Sequence, residues 1–442
     1  MGQWDGSTKR ALGLLAVLGL SGCMSLGDGA QTAEGGQVSR FLSKSPDADL
    51  TARQKEAAQS TVITALQSRR SILPTDSAYD RVAQPVLAAY SRPSEAELRS
   101  ARLRAKAASK NWLPRIGPDI SLTSLGDLVT QLVVEQVLFD NGRKKAERAF
   151  AKADVEVAAV TLSEDTNDRV LTALGLYLDA MKARDRSTLE RQTLKDMQHF
   201  EWVMNERVKG GVSDMSDLNV LRQKLSEIRS TLAAQQEAEA AAFSELNAMS
   251  AQPLDGVQGL TDLMPETGNA KPLQVLRAEA EKERDIAQAK IDRAGLLPGL
   301  TAGGSVDENG SNIGLNISSD QLLGLGTGDN LKATAAARDA AERRVGQARE
   351  DAERKLRRLD SRRNALSRQV TEASTLAAQA KANLDLFQRQ YKAGQRQVMD
   401  VVGMYETFAA RQTAHLDLKY ELAKTRLEIA RHLGLLADGG SI

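Results

Sequence analysis

A chain of 442 residues with 59 Lys+Arg against 58 Asp+Glu has a formal net charge of +1, a near balance that argues against a nucleic-acid partner, which would need a concentrated positive surface. Hydrophobic residues make up 41% and aromatics only 4%, so the core must be extended and built from small side chains, the mix expected of long helices at close approach. One cysteine permits no internal disulfide, and His199, His415 and His432 lie too far apart for metal-ligand spacing.

In chain order, Lys9 and Arg10 precede an apolar run from Ala11 to Leu20, and small residues lead into Cys23, the order of a secretory signal peptide. About ten apolar residues are too few to span a bilayer as a helix. The run Leu20-Ser21-Gly22-Cys23 resembles a bacterial lipoprotein lipobox. That resemblance implies a signal peptide over 1–22, cleavage before Cys23 and a covalent lipid such as palmitate there. Met24 in place of Asp implies, for that family, the outer membrane. Residues 24–80 mix Gly, Ser, Gln and charges with little periodicity. The segment 23–93 is therefore expected to be a tether, with weak helix from Ala52 to Arg69.

Beyond the tether the chain repeats itself. Asn111-Trp112-Leu113-Pro114 returns in shortened form as Leu296-Leu297-Pro298, an offset of 184 between the prolines. Gly211-Val212-Ser213-Asp214-Met215-Ser216-Asp217 is answered by Gly394-Gln395-Arg396-Gln397-Val398-Met399-Asp400, an offset of 183. Two landmarks at nearly one offset indicate a duplicated unit of strand pair, long helix, tight tip and returning helix. The first copy is expected over 94–252, with strands at about 113–139 and a tip at about 208–217. A proline-bracketed connection, 253–272, separates it from the second copy over 273–436. That copy has strands at about 297–320 and a tip at about 392–400, and 437–442 form a tail.

Within the strand pairs, Ile116 to Thr123 and Leu128 to Phe139 are rich in Leu, Val, Ile and Thr and join near Gly126-Asp127. Leu300 to Val306 leads through Asn309-Gly310, a hairpin signal, into Ile313, Leu315 and Ile317 alternating with Gly314, Asn316 and Ser318. With their flanks these runs approach the roughly 9–11 residues of a tilted transmembrane strand. Four strands cannot close a barrel, so an apolar outer face demands oligomerisation. Soluble hairpins packed on the helices are the alternative.

From Asn141 to Gly210 there is no proline, and the counterpart from Asn330 to Gly394 is similar. Leu218, Leu221, Leu225, Ile228 and Leu232 recur at 3–4 spacing, as do Ala373, Ala377, Ala380, Leu384, Phe387 and Tyr391, and then Leu416, Tyr420, Ala423, Leu427 and Ala430. Such a stripe buries a narrow seam on a partner helix. The fold class is mainly α with a small transmembrane β part: a duplicated strand pair plus a long antiparallel helical hairpin. The arginine-dense stretch Arg338 to Arg368, interleaved with acids, reads as a solvated helix face with i,i+4 pairs.

Taken together the chain resembles the TolC-like outer-membrane factors, lipoprotein type, from about Ser94 to Leu436. The carriers are the Leu-Pro before each strand pair, the run Gln136-Val137-Leu138-Phe139-Asp140-Asn141-Gly142-Arg143, and the tips, especially Tyr391-Lys392-Ala393-Gly394 followed by Asp400. The resemblance implies a homotrimer whose strands form one twelve-stranded β-barrel continued by a periplasmic α-helical barrel. It also implies the exit duct of a tripartite export system, for drug or small-molecule efflux or type I protein secretion. Its partners would be a periplasmic adaptor (membrane fusion) protein and an RND-type or ABC-type inner-membrane pump. No cofactor is expected beyond the lipid on Cys23.

By the same resemblance Asp217, Tyr391, Arg396 and Asp400 fall where the family places its periplasmic gate, and Gly211, Val212, Ser213, Gly394 and Gln395 where the tips meet the adaptor. A tyrosine hydroxyl or guanidinium can latch a carboxylate on a neighbouring hairpin. Asp217 and Asp400 are equally suited to cap the returning helices. Gly403 departs from the family, where some members carry a second aspartate, which leaves an acidic pore ring in doubt. Two rivals stand. One is a lipid-anchored periplasmic coiled-coil scaffold without channel activity. The other is an enzyme acting on peptidoglycan, for which no nucleophile–histidine or metal constellation exists.

Overall fold

A computed structural model describes residues 60–122, 128–263, 270–307, 310–319 and 324–442. Cys23, the signal segment, and the turns at Gly126-Asp127 and Asn309 lie outside the described residues.

Three helices come first: α1 (Thr61–Gln67), α2 (Ala78–Ala89) and α3 (Pro93–Ala108). Strands β1 (Arg115–Leu122) and β2 (Leu128–Phe139) follow, then α4 (Arg143–Lys209) and α5 (Met215–Ala248). The second copy has α6 (Leu273–Gly295), β3 (Gly299–Asp307), β4 (Gly310–Ser318), α7 (Thr327–Lys392) and α8 (Val398–His432). Helices α4 and α7 have 67 and 66 residues, so each runs roughly 100 Å at ~1.5 Å per residue. No described helix is long and apolar enough to cross a membrane.

Helices α4 and α5 fold back on each other as one hairpin, and α7 and α8 as the other. Near the tips Met197, Phe200 and Met204 of α4 and Leu218, Leu221 and Leu225 of α5 share one apolar cluster with Leu384 of α7 and Val398, Val401, Val402 and Tyr405 of α8. Mid-length, Val170, Leu174, Tyr177 and Leu178 of α4 pack with Phe243, Leu246, Tyr420 and Leu427. All three seams expected from 3–4 spacing are thus buried or partly buried toward partner helices.

Residues 60–93 correct one expectation. They are not a tether but part of the body. Val62, Ile63 and Leu66 of α1 pack with Leu98, Val160 and Leu276. Tyr79, Val82 and Val86 of α2 are fully buried in the mid-length cluster together with Leu254, Val257 and Leu263 of the connection. Ser60 and Ser77 cap these helices by accepting from the Ile63 and Asp80 amides. The apolar spacing was there in short form, diluted by the Gly- and Ser-rich residues before it. The tail is docked as well: the Gly439 amide donates to Arg69 and the Ile72 amide to Leu435.

Candidate functional site

Two regions carry the expected function, the sheet and the tips. The sheet is four-stranded and antiparallel in the order β1-β2-β3-β4. The sequence suggested one hairpin per copy; the added feature is β2 pairing with β3, which joins the copies into one ribbon. A side-chain bond braces this joint, because Asn141 donates to the Pro298 carbonyl at 2.8 Å. Asn141 and Gly142 both have positive φ there (54° and 83°). The Asp140 carboxylate then accepts from the Gly142 and Lys144 amides at 3.1 and 2.7 Å, which starts α4. Gln136 donates to the Trp112 carbonyl at 2.8 Å. The Gln136-to-Arg143 motif is thus the corner where sheet becomes helix.

Register sorts the strand residues into two faces. Ile116 lies beside Val134, Val134 beside Gly304, and Gly304 beside Ile313. Pro118, Leu132, Val306 and Ser311 form a parallel row, as do Gln136, Ala302 and Leu315, and Leu300 and Ile317, so this face is mainly apolar with Gln136 and Ser311 among its members. The opposite face carries Arg115, Asp119, Gln131, Glu135, Thr301, Ser305, Asn312 and Asn316, with Val133 and Val137 among them. The apolar face is bare. Ile313 is 89% exposed, Ile317 74% and Leu315 71%. Trp112, Leu138, Phe139 and Leu325 are exposed where the sheet meets the helices. Neither β1 nor β4 has a second neighbour among the described strands, so each offers an open hydrogen-bonding edge.

At the tips the duplication is exact in backbone terms. Gly211 and Gly394 take positive φ, +69° and +76°. The Val212 amide reaches back to the Arg207 carbonyl as the Gln395 amide does to Gln390, at 2.9 Å each. Asp400 accepts from the Gln397 amide at 3.2 Å and closes a capping box. In the first copy the cap is Asp214, which accepts from the Ser216 amide at 3.1 Å. The capping role considered for Asp217 therefore belongs to Asp214, which directly precedes α5, and Asp217 sits half-buried in the first turn.

Arg396 lies over the Phe387 ring at 4.5 Å and donates to the Gln390 side chain at 3.1 Å, both on its own hairpin. Tyr391 packs against the tip cluster. Val212 is 69% exposed, and Gly211, Gly394 and Gln395 are exposed beside it while Ser213 is half-buried. Within one chain the four expected gate residues do not touch one another by any hydrogen bond or ion pair. The contacts that do join the hairpins lie a little farther from the tip, where sequence reading did not look. The Tyr405 hydroxyl donates to Asp196 at 2.5 Å, and Lys224 pairs with Glu406. Burial and the Asp196 carboxylate push the Tyr405 hydroxyl far above the usual phenol range, so it stays a donor.

No protein-family model matches the sequence, and no curated protein matches it. Solved structures do match in shape. A membrane protein from Pseudomonas aeruginosa superposes with TM-score 0.72 at 16% identity, covering 85% of this chain and 93% of that one. The outer membrane protein VceC of Vibrio cholerae gives 0.66 at 15% identity, over 88% and 96%. The open state of the Neisseria gonorrhoeae MtrE outer membrane channel gives 0.62 at 15% identity, over 86% and 90%. The fold is that of the TolC-like channels. In this fold the ribbon of four strands is the small β part, and the paired hairpins are the helical part.

Proposed function

We propose that three copies of this chain form a channel across the outer membrane, the exit duct of a tripartite export system. The observation that carries this reading is the two-faced ribbon with both edges open. An exposed apolar face is costly in water and favourable in hydrocarbon, and unpaired strand edges are tolerated in lipid only when a barrel closes. β1 has 8 residues, β2 12, and β3 and β4 9 each, close to the roughly 9–11 of a tilted spanning strand. Sister copies pairing β1 with β4 would complete the wall, with Asp119, Glu135 and Asn316 lining a wet lumen. Trp112 and Phe139 fit a girdle where helix meets bilayer.

The conduit does no chemistry: it supplies a sealed aqueous path, and the driving force belongs to an inner-membrane pump of RND or ABC type. Small toxic molecules are the preferred cargo, with a secreted polypeptide as the second. The exposed tips at Gly211, Val212, Ser213, Gly394 and Gln395 are assigned to an adaptor, and Asp217, Tyr391, Arg396 and Asp400 to a latch between neighbouring hairpins. Cys23 is assigned the lipid, and Cys23→Ser is expected to remove a mass increment of acyl-chain size from the mature protein.

Planar-bilayer recording on the purified full-length protein tests the channel. Discrete conductance steps are expected, with a higher open fraction in Arg396→Ala. A protein that binds bilayers yet never conducts, in either form, would establish the scaffold reading instead.

A further inference from the structure

The surface just below the sheet is unlike the rest of the molecule in charge. From Leu98 to Pro118 there are six cations, Arg99, Arg102, Arg104, Lys106, Lys110 and Arg115, and no Asp or Glu. The duplicated segment supplies an internal comparison. At the offset of 184 it is 282–302, where Lys282, Arg284, Lys290 and Arg293 meet Glu283, Asp285 and Asp292. The same place in the repeat is all cationic in one copy and nearly balanced in the other. The asymmetry recurs one element later. The first turn of α4 is Arg143-Lys144-Lys145 with no acid in it, whereas the matching turn of α7 is Thr327-Gly328-Asp329. Cations at a helix N-terminus oppose the macrodipole. The Asp140 carboxylate already accepts from the α4 amides and Arg143 pairs with Glu147, so of these three cations Lys145 is the exposed one without an ion pair among the described residues.

Pairing is denser in the other basic region. In α7, Arg343, Arg344, Arg349, Arg354, Arg357 and Arg362 meet carboxylates, while Arg358 and Arg368 are exposed without an ion pair among the described residues. Arg99, Arg104, Lys106, Lys110 and Lys145 are exposed and form no ion pair among the described residues. Arg99, Leu103 and Lys106 follow 4-3 spacing, so one stripe of α3 points them the same way, and Lys110 lies in the turn just after that helix. Asn111 binds the α3 end to the α4 start by donating to the Lys144 carbonyl and Glu147 at 3.0 and 2.9 Å. Lys110 and Lys145 are therefore sequence neighbours of the two residues, Asn111 and Lys144, that make this joint, and Trp112 beside it is 59% exposed.

We infer that this patch, centred on Lys106, Lys110 and Lys145 beside Trp112, binds anionic phospholipid headgroups of the leaflet facing the helices. The occupant follows from continuity. The exposed Trp112 lies three residues before β1 begins, at the helix end of the sheet, so the next layer outward from hydrocarbon is phosphate. An indole at the interface with basic side chains just outside it is the usual arrangement for holding such lipids. The inference rests on membrane insertion of the sheet and adds headgroup selectivity to it.

Trp112 is itself the probe. Full-length protein with Trp4→Phe and Trp202→Phe leaves it as the one tryptophan. Reconstitution into phosphatidylcholine vesicles containing a few mole percent of brominated lipid then compares quenching by phosphatidylglycerol with quenching by phosphatidylcholine. Local enrichment of the anionic lipid by about fivefold or more is expected. It should collapse in Lys106→Gln/Lys110→Gln/Lys145→Gln and in high salt, while quenching by brominated phosphatidylcholine persists. Equal quenching by both lipids in the parent would overturn headgroup binding and leave insertion standing. Absence of quenching by either would overturn insertion, and this inference with it.

Discussion

Asp400 and Asp217 occupy matching positions in the two tips, yet only Asp400 is tied to its own backbone, through the Gln397 amide. That difference separates capping from gating. Asp400→Ala is expected to lower stability by about 1 kcal/mol, as loss of a cap does, in addition to any effect on conductance. Asp217→Ala removes no hydrogen bond within the chain, only a favourable charge in the first turn of α5, so it should lower the thermal midpoint less than Asp400→Ala does while still acting on open probability. Equal loss of stability in both variants, by calorimetry, would contradict this assignment. Asp214 was legible as a cap from its place directly before α5, although the repeat offset matches Asp217, not Asp214, to Asp400.

His432 offers a pH test at the same scale. Its Nε2 donates to the Ala352 carbonyl at 3.1 Å, between α8 and α7, and burial pushes its pKa below the usual imidazole value. A base whose folded pKa is depressed binds its proton more readily when unfolded. Its neutral-state stability is therefore full above the unfolded pKa of about 6.5 and is lost as pH falls through it. The Tm gap between the protein and His432→Asn should narrow from pH 7.5 to pH 5.5. A gap constant over that range would mean the imidazole does not titrate against folding.

Among the elements, strands and long helices were legible because each follows one period over many residues. Ile313, Leu315 and Ile317 alternate along β4, and Leu218, Leu221 and Leu225 keep the α5 seam. Pairing of β2 with β3 was not legible, since no local pattern says which strands of two distant hairpins meet. Helix α1 falls inside the weak helix expected from Ala52 to Arg69, whereas α2 was missed for another reason: at 12 residues it is too short for periodicity to stand out, and the burial of both comes from tertiary packing. The two-faced ribbon makes a position-specific prediction. Leu315→Arg places a charge on the apolar face and should cost about 2–4 kcal/mol of insertion at mid-bilayer. Asn316→Arg, one residue along, projects to the other face and should insert as the parent does. Equal insertion of both in vesicle-flotation assays would mean the faces are not lipid and lumen.

For the whole molecule, the central claim is that open β1 and β4 edges close on sister chains. Within one chain these edges are separated by two strands, about 14 Å at the ~4.7–4.9 Å interstrand spacing. A disulfide needs Cα atoms within about 7 Å. A cysteine at Gly117 on β1, combined in turn with one at Asn312, Gly314 or Asn316 on β4, keeps all partners on the polar face. Oxidation can then join them only between chains. The account predicts that one of these steps yields a covalent species of three chain masses and nothing larger. Monomer at every step, or an open ladder of dimers and higher multimers, would contradict it.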